Sequence, residues 1–387
     1  MKILILYKNI GNILLREHDL FRVPYVGLKQ EFAQRKQELA SAFNNVTVNA
    51  SYILREEVGL FERSIAEMLG VKHVIGVNSG TDALFLALKA LNIGQGDEVI
   101  TVAHTFVATI AAIVHCGAKP VLIDIADDFN LAVATLEQSI TASTKAIIPV
   151  HMNGRCCEMD AVLAIADKHD LLVVEDAAQS MGAHINGAYA GTFGSINAFS
   201  LHPMKNLHCY GDGGVITTND DRLAEQVRLL RNHGQTPNKE LVAFGFNSRL
   251  DNLQAAFLNV NMKYFDGDIK RRRQIALRYD FGLKNCAGLK LPNPPQETGY
   301  FDVFSSYPIR CAERDRLLNH LQQKGIECFV HWETPLHRNE HLKLGHFSLP
   351  VTEQVAREVL SLPMHPFLED EQCDYVIGAV KEFFNGC

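Results

Sequence analysis

From Asn49 to about Asn219 the chain alternates short β-branched runs with amphipathic stretches, and this rhythm limits the possible folds more than any other feature. Strands separated by helix-length segments do not pair as tight hairpins; they build βα units around a mainly parallel sheet. The runs Glu98 to Ala103, Pro120 to Ile125, Lys145 to Val150 and Leu171 to Glu175 are largely apolar on both alternating positions, as strands covered on two faces must be. Val58, Phe61, Ile65 and Met68 recur at helical spacing in a helix from about Glu57 to Leu69 that Gly70 stops, and a second helix follows Ser79. After about Arg249 the texture changes. One long helical stretch, Leu250 to Leu283, is followed by a Pro-rich passage at Leu291 to Pro295 and by helices at Glu313 to Lys324 and Asp370 to Phe384. The expected organisation is an N-terminal extension over residues 1–22, a large domain over 23–250, and a helical connection with a smaller α+β domain over 251–387. With 387 residues, 47% of them hydrophobic, the chain can bury cores for both.

Charge excludes several roles. A net charge of -7, with Lys270 to Arg273 as the longest basic run, argues against binding nucleic acid or a membrane surface through bulk charge. The nine cysteines are odd in number and scattered, giving neither a disulfide framework nor a C-x-x-C zinc pair, and they suit a reducing cytoplasm. The sixteen histidines show no H-E-x-x-H or clustered ligand spacing, so no metal is expected. The apolar run Ile3 to Tyr7 is too short for a signal segment or a membrane span.

In open α/β sheets ligands sit beyond the carboxyl ends of the strands, and the chemically suggestive residues fall there. Asp176 and Gln179 follow a buried strand. An acid at such a point can keep a pyridine nitrogen protonated, turning the ring into an electron sink. Taken alone, Asp176 reads better as a cap for a following helix. Lys205 stands in the turn Ser200-Leu201-His202-Pro203-Met204-Lys205-Asn206-Leu207, ahead of Gly211-Asp212-Gly213-Gly214 and the strand Val215 to Thr218. A nucleophilic lysine must be partly desolvated, and glycines beside it let backbone approach a planar ligand. Most loop lysines are simply solvated; Asp176 upstream and Ser200 five residues before lift this one. Asn78-Ser79-Gly80-Thr81-Asp82 opens an Ala/Leu-rich helix, which makes it a phosphate cradle or an ordinary N-cap. It is no Walker A loop, since no Gly-Lys-Ser/Thr follows. Phe106 is placed to cover a ring face or to join the core.

Together and in this order, Pro24-Tyr25-Val26-Gly27-Leu28-Lys29, Ser79 to Leu84, Thr105-Phe106-Val107-Ala108-Thr109, Glu175 to Gln179, Ser200 to Lys205 with Gly211 to Gly214, and Asn247-Ser248-Arg249-Leu250-Asp251 resemble the DegT/StrS family of nucleotide-sugar aminotransferases. The resemblance covers nearly the whole chain from Val23. It implies an α/β, fold type I transferase dependent on pyridoxal 5′-phosphate (PLP), with a seven-stranded, mainly parallel mixed sheet. Lys205 would carry PLP as a Schiff base and serve as nucleophile and general acid/base. Asp176 would pair with the pyridine nitrogen, Phe106 would stack on the ring, and Gln179 would contact the side of the ring hydroxyl. Gly80, Thr81 and Ser200 would hold the phosphate, joined by Asn247 of a second subunit, which implies a homodimer with composite sites. The implied reaction moves the amino group of L-glutamate, through pyridoxamine phosphate (PMP), to a nucleotide-linked keto-deoxy sugar, yielding amino sugars for surface polysaccharides or glycosides. The Pro24 to Lys29 opening and Tyr52-Ile53-Leu54 look more like relatives that aminate a 3-keto than a 4-keto sugar.

Four positions depart from the family pattern. His208 replaces a small residue, Leu201 a Phe, Arg55 a Gly and Trp332 a Tyr. His208, His331 and Trp332 are the candidate substrate contacts, although His331 reads equally as a satisfied histidine of the C-terminal domain. A sugar dehydratase of the same fold would carry His in place of Lys205. A non-catalytic regulator that binds PLP or a sugar nucleotide has no need of a nucleophile. A simple nucleotide-binding module lacks a phosphate-binding lysine and a metal-binding carboxylate at suitable spacing.

Overall fold

The structure is a computed structural model that describes residues 21–384. Residues 1–20 of the expected extension therefore lie outside the described residues, as does the run Ile3 to Tyr7. Seven strands, β1 (His73–Val77), β2 (Glu98–Val102), β3 (Lys119–Ile123), β4 (Thr144–Ile147), β5 (Leu172–Asp176), β8 (Ile196–Ser200) and β9 (Gly214–Thr218), form one sheet in the order β1-β9-β8-β5-β4-β2-β3. Strand β9 runs antiparallel to β1 and β8, and the remaining pairings are parallel. The mixed, mainly parallel sheet of seven strands is thus present. Short strands β6 (His184–Ile185) and β7 (Ala188–Tyr189) join β10 (Tyr300–Phe301), while β11 (Tyr307–Arg310) pairs with β12 (Val359–Leu362).

Alternating residues send each strand's side chains to two faces. Ile75, Val77, Val174, Ile196, Ala198 and Ile216 pack under the helix Gly80–Ala90, whose Leu84, Leu86, Ala87 and Leu88 are buried. Their neighbours Val74, Phe199 and Val215 face the opposite way, onto the helices Glu56–Leu69 and Asn252–Met262. Each fully buried Leu or Ile in these layers stabilises by about 2 kcal/mol. The helix Glu56–Leu69 ends at Gly70 with φ 69°, as its sequence predicts, but it buries Leu69 where Met68 was expected and leaves Met68 half-buried. Arg55, in place of a glycine, is the extended residue before that helix.

The single helix expected over Leu250 to Leu283 is two, Asn252–Met262 and Phe265–Leu283. Lys263 and Tyr264 bond three residues back, to Val260 and Asn261, and turn the chain between them. Both side chains are held by Glu38 of the helix Leu28–Val48. Beyond the break, Ile275, Ala276, Tyr279 and Leu283 form a separate buried cluster with β11, β12 and the helices Arg314–Gln323 and Asp370–Phe383, which also encloses Val23. No helix among the described residues is long and apolar enough to cross a membrane.

Candidate active site

The parallel strands end on one edge of the sheet, and a cavity of about 610 Å³ opens there. Asp176, the last residue of β5 rather than the first beyond it, lines this cavity together with Lys205, Gly80, Thr81, Phe106, Gln179, Ser200, His208, His331 and Trp332. No helix begins directly after Asp176, so the capping alternative is removed. Its Oδ2 accepts from Thr109 Oγ1 at 2.7 Å and its Oδ1 from the Ala178 N–H at 3.2 Å. Burial raises its pKa, and the two hydrogen bonds and the charges of Lys205 and His151 oppose that rise.

Lys205 sits on the turn between β8 and β9, which its own N–H closes by donating to the His202 carbonyl at 2.8 Å. Burial lowers the pKa of its ammonium, with the Asp176 charge acting against it. A lysine whose burial favours the uncharged amine thus shares one cavity with the acid at the end of β5.

The start of the helix Gly80–Ala90 is pressed against this edge. Ser79 is its N-cap, accepting from the Asp82 N–H at 3.1 Å. A Cβ on Gly80 would stand 2.6 Å from Ser200 Cβ, and one on Gly214 would stand 2.4 Å from the Ser79 carbonyl oxygen. The capping reading holds, and Gly80, Thr81 and Ser200 line one space at the positive end of the helix dipole, where an anion is favoured. Asn206 Oδ1 and Ser305 Oγ, which line the same cavity, are buried without protein partners. An amine, an acid, an anion cradle and unpartnered polar atoms fit a phosphorylated pyridine aldehyde.

Other expected residues take distinct positions. Phe106, 61% exposed, lies at the mouth beside the helix Val107–His115. Gln179 accepts the Asn153 N–H on Oε1 at 2.9 Å, which leaves its amide N–H groups for the cavity. His331 Nε2 is 3.0 Å from the Tyr25 hydroxyl, and Trp332, at φ 55°, meets the buried His104 edge-on with ring centres 5.0 Å apart. Asn247 is exposed and does not line the cavity of its own chain.

Sequence reading missed Thr109 and the support behind Asp176. Glu175, one residue earlier and so on the other face, is fully buried and accepts from His151 Nε2 at 2.7 Å and from the N–H groups of Gly191, Phe193 and Gly194 at 2.7, 2.6 and 2.8 Å. His151 Nδ1 accepts from the Cys157 N–H at 3.0 Å, which puts the ring hydrogen on Nε2. The C-terminal unit also lends Arg272, Met364 and His365 to the cavity wall, which no motif signalled. Among the described residues no group of side chains could hold a metal ion.

A lysine and an aspartate so placed on this sheet define a fold type I PLP enzyme. Residues 33–381 match the DegT/DnrJ/EryC1/StrS aminotransferase family. The chain is 42% identical to the pleiotropic regulatory protein of Geobacillus stearothermophilus, over 94% of this chain and 98% of that one. It is 40% identical to dTDP-3-amino-3,4,6-trideoxy-alpha-D-glucose transaminase of Streptomyces venezuelae, over 94% and 96%. The crystal structure of S. venezuelae DesV in complex with a ketimine intermediate superposes with a TM-score of 0.90 at 40% identity, covering 94% of this chain and 98% of that chain. Other solved relatives hold the cofactor in its PLP or its PMP form. The chain belongs to the DegT/DnrJ/EryC1/StrS aminotransferase family and is a PLP-dependent sugar aminotransferase.

Proposed function

We propose that the enzyme transfers the amino group of L-glutamate to the 3-keto group of a nucleotide-linked deoxy sugar, releasing 2-oxoglutarate and an amino sugar. The observation that carries this reading is the meeting of Lys205 and Asp176 in one cavity beside the Gly80, Thr81 and Ser200 cradle. Bound there, PLP supplies an aldehyde that takes up amines and a ring that spreads the electron pair left when a C–H bond breaks. Asp176 holds the ring nitrogen in its cationic form. Lys205, its amine favoured by burial, would hold the cofactor through its aldehyde and would serve as the acid and base that carries the proton of the breaking C–H bond. The same residue works in reverse on the sugar half-reaction. Gln179 orients the hydroxyl side of the ring and Phe106 covers a face, while His331 and Trp332 border the sugar.

The exposed Asn247 completes the phosphate site of the partner subunit in a homodimer, and Leu241, Val242 and Phe244 in the same exposed segment supply apolar surface for that contact. Seven free, buried thiols among the described residues suit the cytoplasm. The relative from Geobacillus favours a second reading, a regulator that binds PLP or a sugar nucleotide without turnover; the intact Lys205 and Asp176 pair favours catalysis. Lys205→Ala should bind PMP and transfer no amino group, and an active variant refutes the mechanism. Paired 3-keto and 4-keto nucleotide sugars, with products read by mass and NMR, test the position and separate an enzyme from a regulator.

A further inference from the structure

The turn that carries Lys205 is fastened by a closed ring of side chains. His208 Nδ1 stands 3.2 Å from the Lys205 carbonyl oxygen, which can only accept, so Nδ1 is the donor. On its other side, Nε2 lies 3.3 Å from Glu31 Oε1 in an ion-pair approach without an aligned hydrogen bond. That oxygen also accepts from Arg35 Nη1 at 2.9 Å and from the Tyr210 hydroxyl at 3.3 Å. Arg35 goes on to Asn261 Oδ1 at 3.0 Å and Asp268 Oδ2 at 2.6 Å, and Asn261 Nδ2 returns to the His208 carbonyl at 3.1 Å. The ring joins the helices Leu28–Val48 and Asn252–Met262 to the lysine turn. Glu31, Arg35 and His208 are 4%, 3% and 6% exposed, so these contacts are little screened by water. Burial alone would raise the Glu31 carboxyl; the approach of His208 Nε2, the charge of Arg35 and the Tyr210 hydroxyl outweigh it and hold it below the usual carboxylate range.

Removing the imidazole opens the ring at the lysine turn alone, because Glu31, Arg35, Asn261 and Asp268 remain tied to one another. Resting on the aminotransferase reading, we propose that His208 is a positioning residue for Lys205, tying the lysine turn to Glu31 so that the amine stays aligned while it moves a proton. A residue that merely borders the sugar would alter KM instead. One that merely adds stability would lower the melting temperature and leave kcat alone.

The test compares His208→Ala, His208→Gln, Glu31→Gln and the double variant His208→Ala/Glu31→Gln, with L-glutamate and the keto sugar that the wild type accepts. Misplacing a reacting group by about 1 Å costs on the order of a hundredfold, so kcat of His208→Ala should fall about tenfold to a hundredfold. KM for both substrates and the affinity for PMP should stay within about threefold, since the phosphate cradle is untouched. His208→Gln, whose amide can still donate to the Lys205 carbonyl, should recover part of the loss and also serves if the Ala variant does not fold. Glu31→Gln should lower kcat as well, and the double variant should be no worse than His208→Ala. Melting temperatures of the apo-proteins should show the same non-additivity between positions 31 and 208. Wild-type kcat in both His208 variants, a change confined to KM, or additive effects overturn the proposal. A wild type that aminates no keto sugar overturns the aminotransferase reading instead, and the apo-protein melting then tests the tie by itself.

Discussion

Gly80→Ala tests the phosphate cradle most directly. The added Cβ would come within 2.6 Å of Ser200 Cβ and 3.0 Å of Ser200 Cα, against an ordinary carbon contact of about 3.5–4.0 Å. Strand β8 is fixed on both sides, through β5 and through the Ser200–Gly214 pairing with β9, so it cannot retreat. The helix start must therefore withdraw by roughly 1 Å, the shortfall between these contacts. A phosphate there draws on the helix dipole, worth up to about 2 kcal/mol, and on charge-assisted hydrogen bonds of about 1.5–3 kcal/mol each. Losing one such bond and weakening the dipole costs about 2–4 kcal/mol, or roughly a 30-fold to 1000-fold weaker Kd. PMP is the proper ligand for the titration, because it cannot be captured covalently by Lys205. Fluorescence titration of the apo-protein measures the loss, with Gly70→Ala as a control: φ is 69° there and no atom lies near its Cβ, so that change strains the backbone without touching the cavity. If Gly80→Ala binds PMP within about threefold of wild type while keeping its fold, phosphate binding at this helix start is refuted.

Two further outcomes follow from the buried titratable groups. Thr109→Val removes the hydroxyl that Asp176 accepts at 2.7 Å, so the carboxyl should rise further, the acid limb of the kcat profile should move to higher pH, and kcat should fall about tenfold or more. An unmoved acid limb counts against Asp176 as the acid opposite the ring. Burial, reinforced by the charge of Lys205, pushes His331 from 6.5 down to about 4, so it contributes stability above 6.5 that is lost as pH falls toward 4. Between pH 7 and pH 5 that loss is about 2 kcal/mol, and denaturant melts of the apo-protein should show His331→Gln losing less stability than wild type by this amount.

The strand rhythm was readable because parallel strands covered on both faces must be apolar along their length, as β2 and β5 are. The break at Lys263 and Tyr264 was not, because helical periodicity runs through it and the turn is set by Glu38, more than two hundred residues away. Lys205 and Asp176 stood out as ionisable residues where a buried strand gives way to a turn, an expensive place unless chemistry or pairing requires them. Thr109 gave no such signal. A threonine in the first turn of a helix gives no sign of a distant partner, and its contact with Asp176 exists only where the helix Val107–His115 meets the end of β5.

Glu175 shows why neighbouring residues can hide their division of labour in a sequence. Glu175 and Asp176 look alike, two acids closing a strand, but alternation sends one carboxylate behind the sheet edge and the other into the cavity. The hidden one is the fully satisfied group: His151 and three backbone N–H groups bind it, and the Cys157 N–H fixes which ring nitrogen of His151 donates. The His151 N–H also donates to the Asp176 carbonyl at 3.0 Å, so the anchor of Glu175 pins the backbone of the next residue as well. Asp176, by contrast, accepts on its carboxylate from the Thr109 hydroxyl and the Ala178 N–H, which leaves acceptor capacity on its two oxygens facing the cavity. An acid that must meet a ring nitrogen without swinging away gains from a rigid backbone and spare acceptors together, and the pair of adjacent carboxylates supplies one of these each.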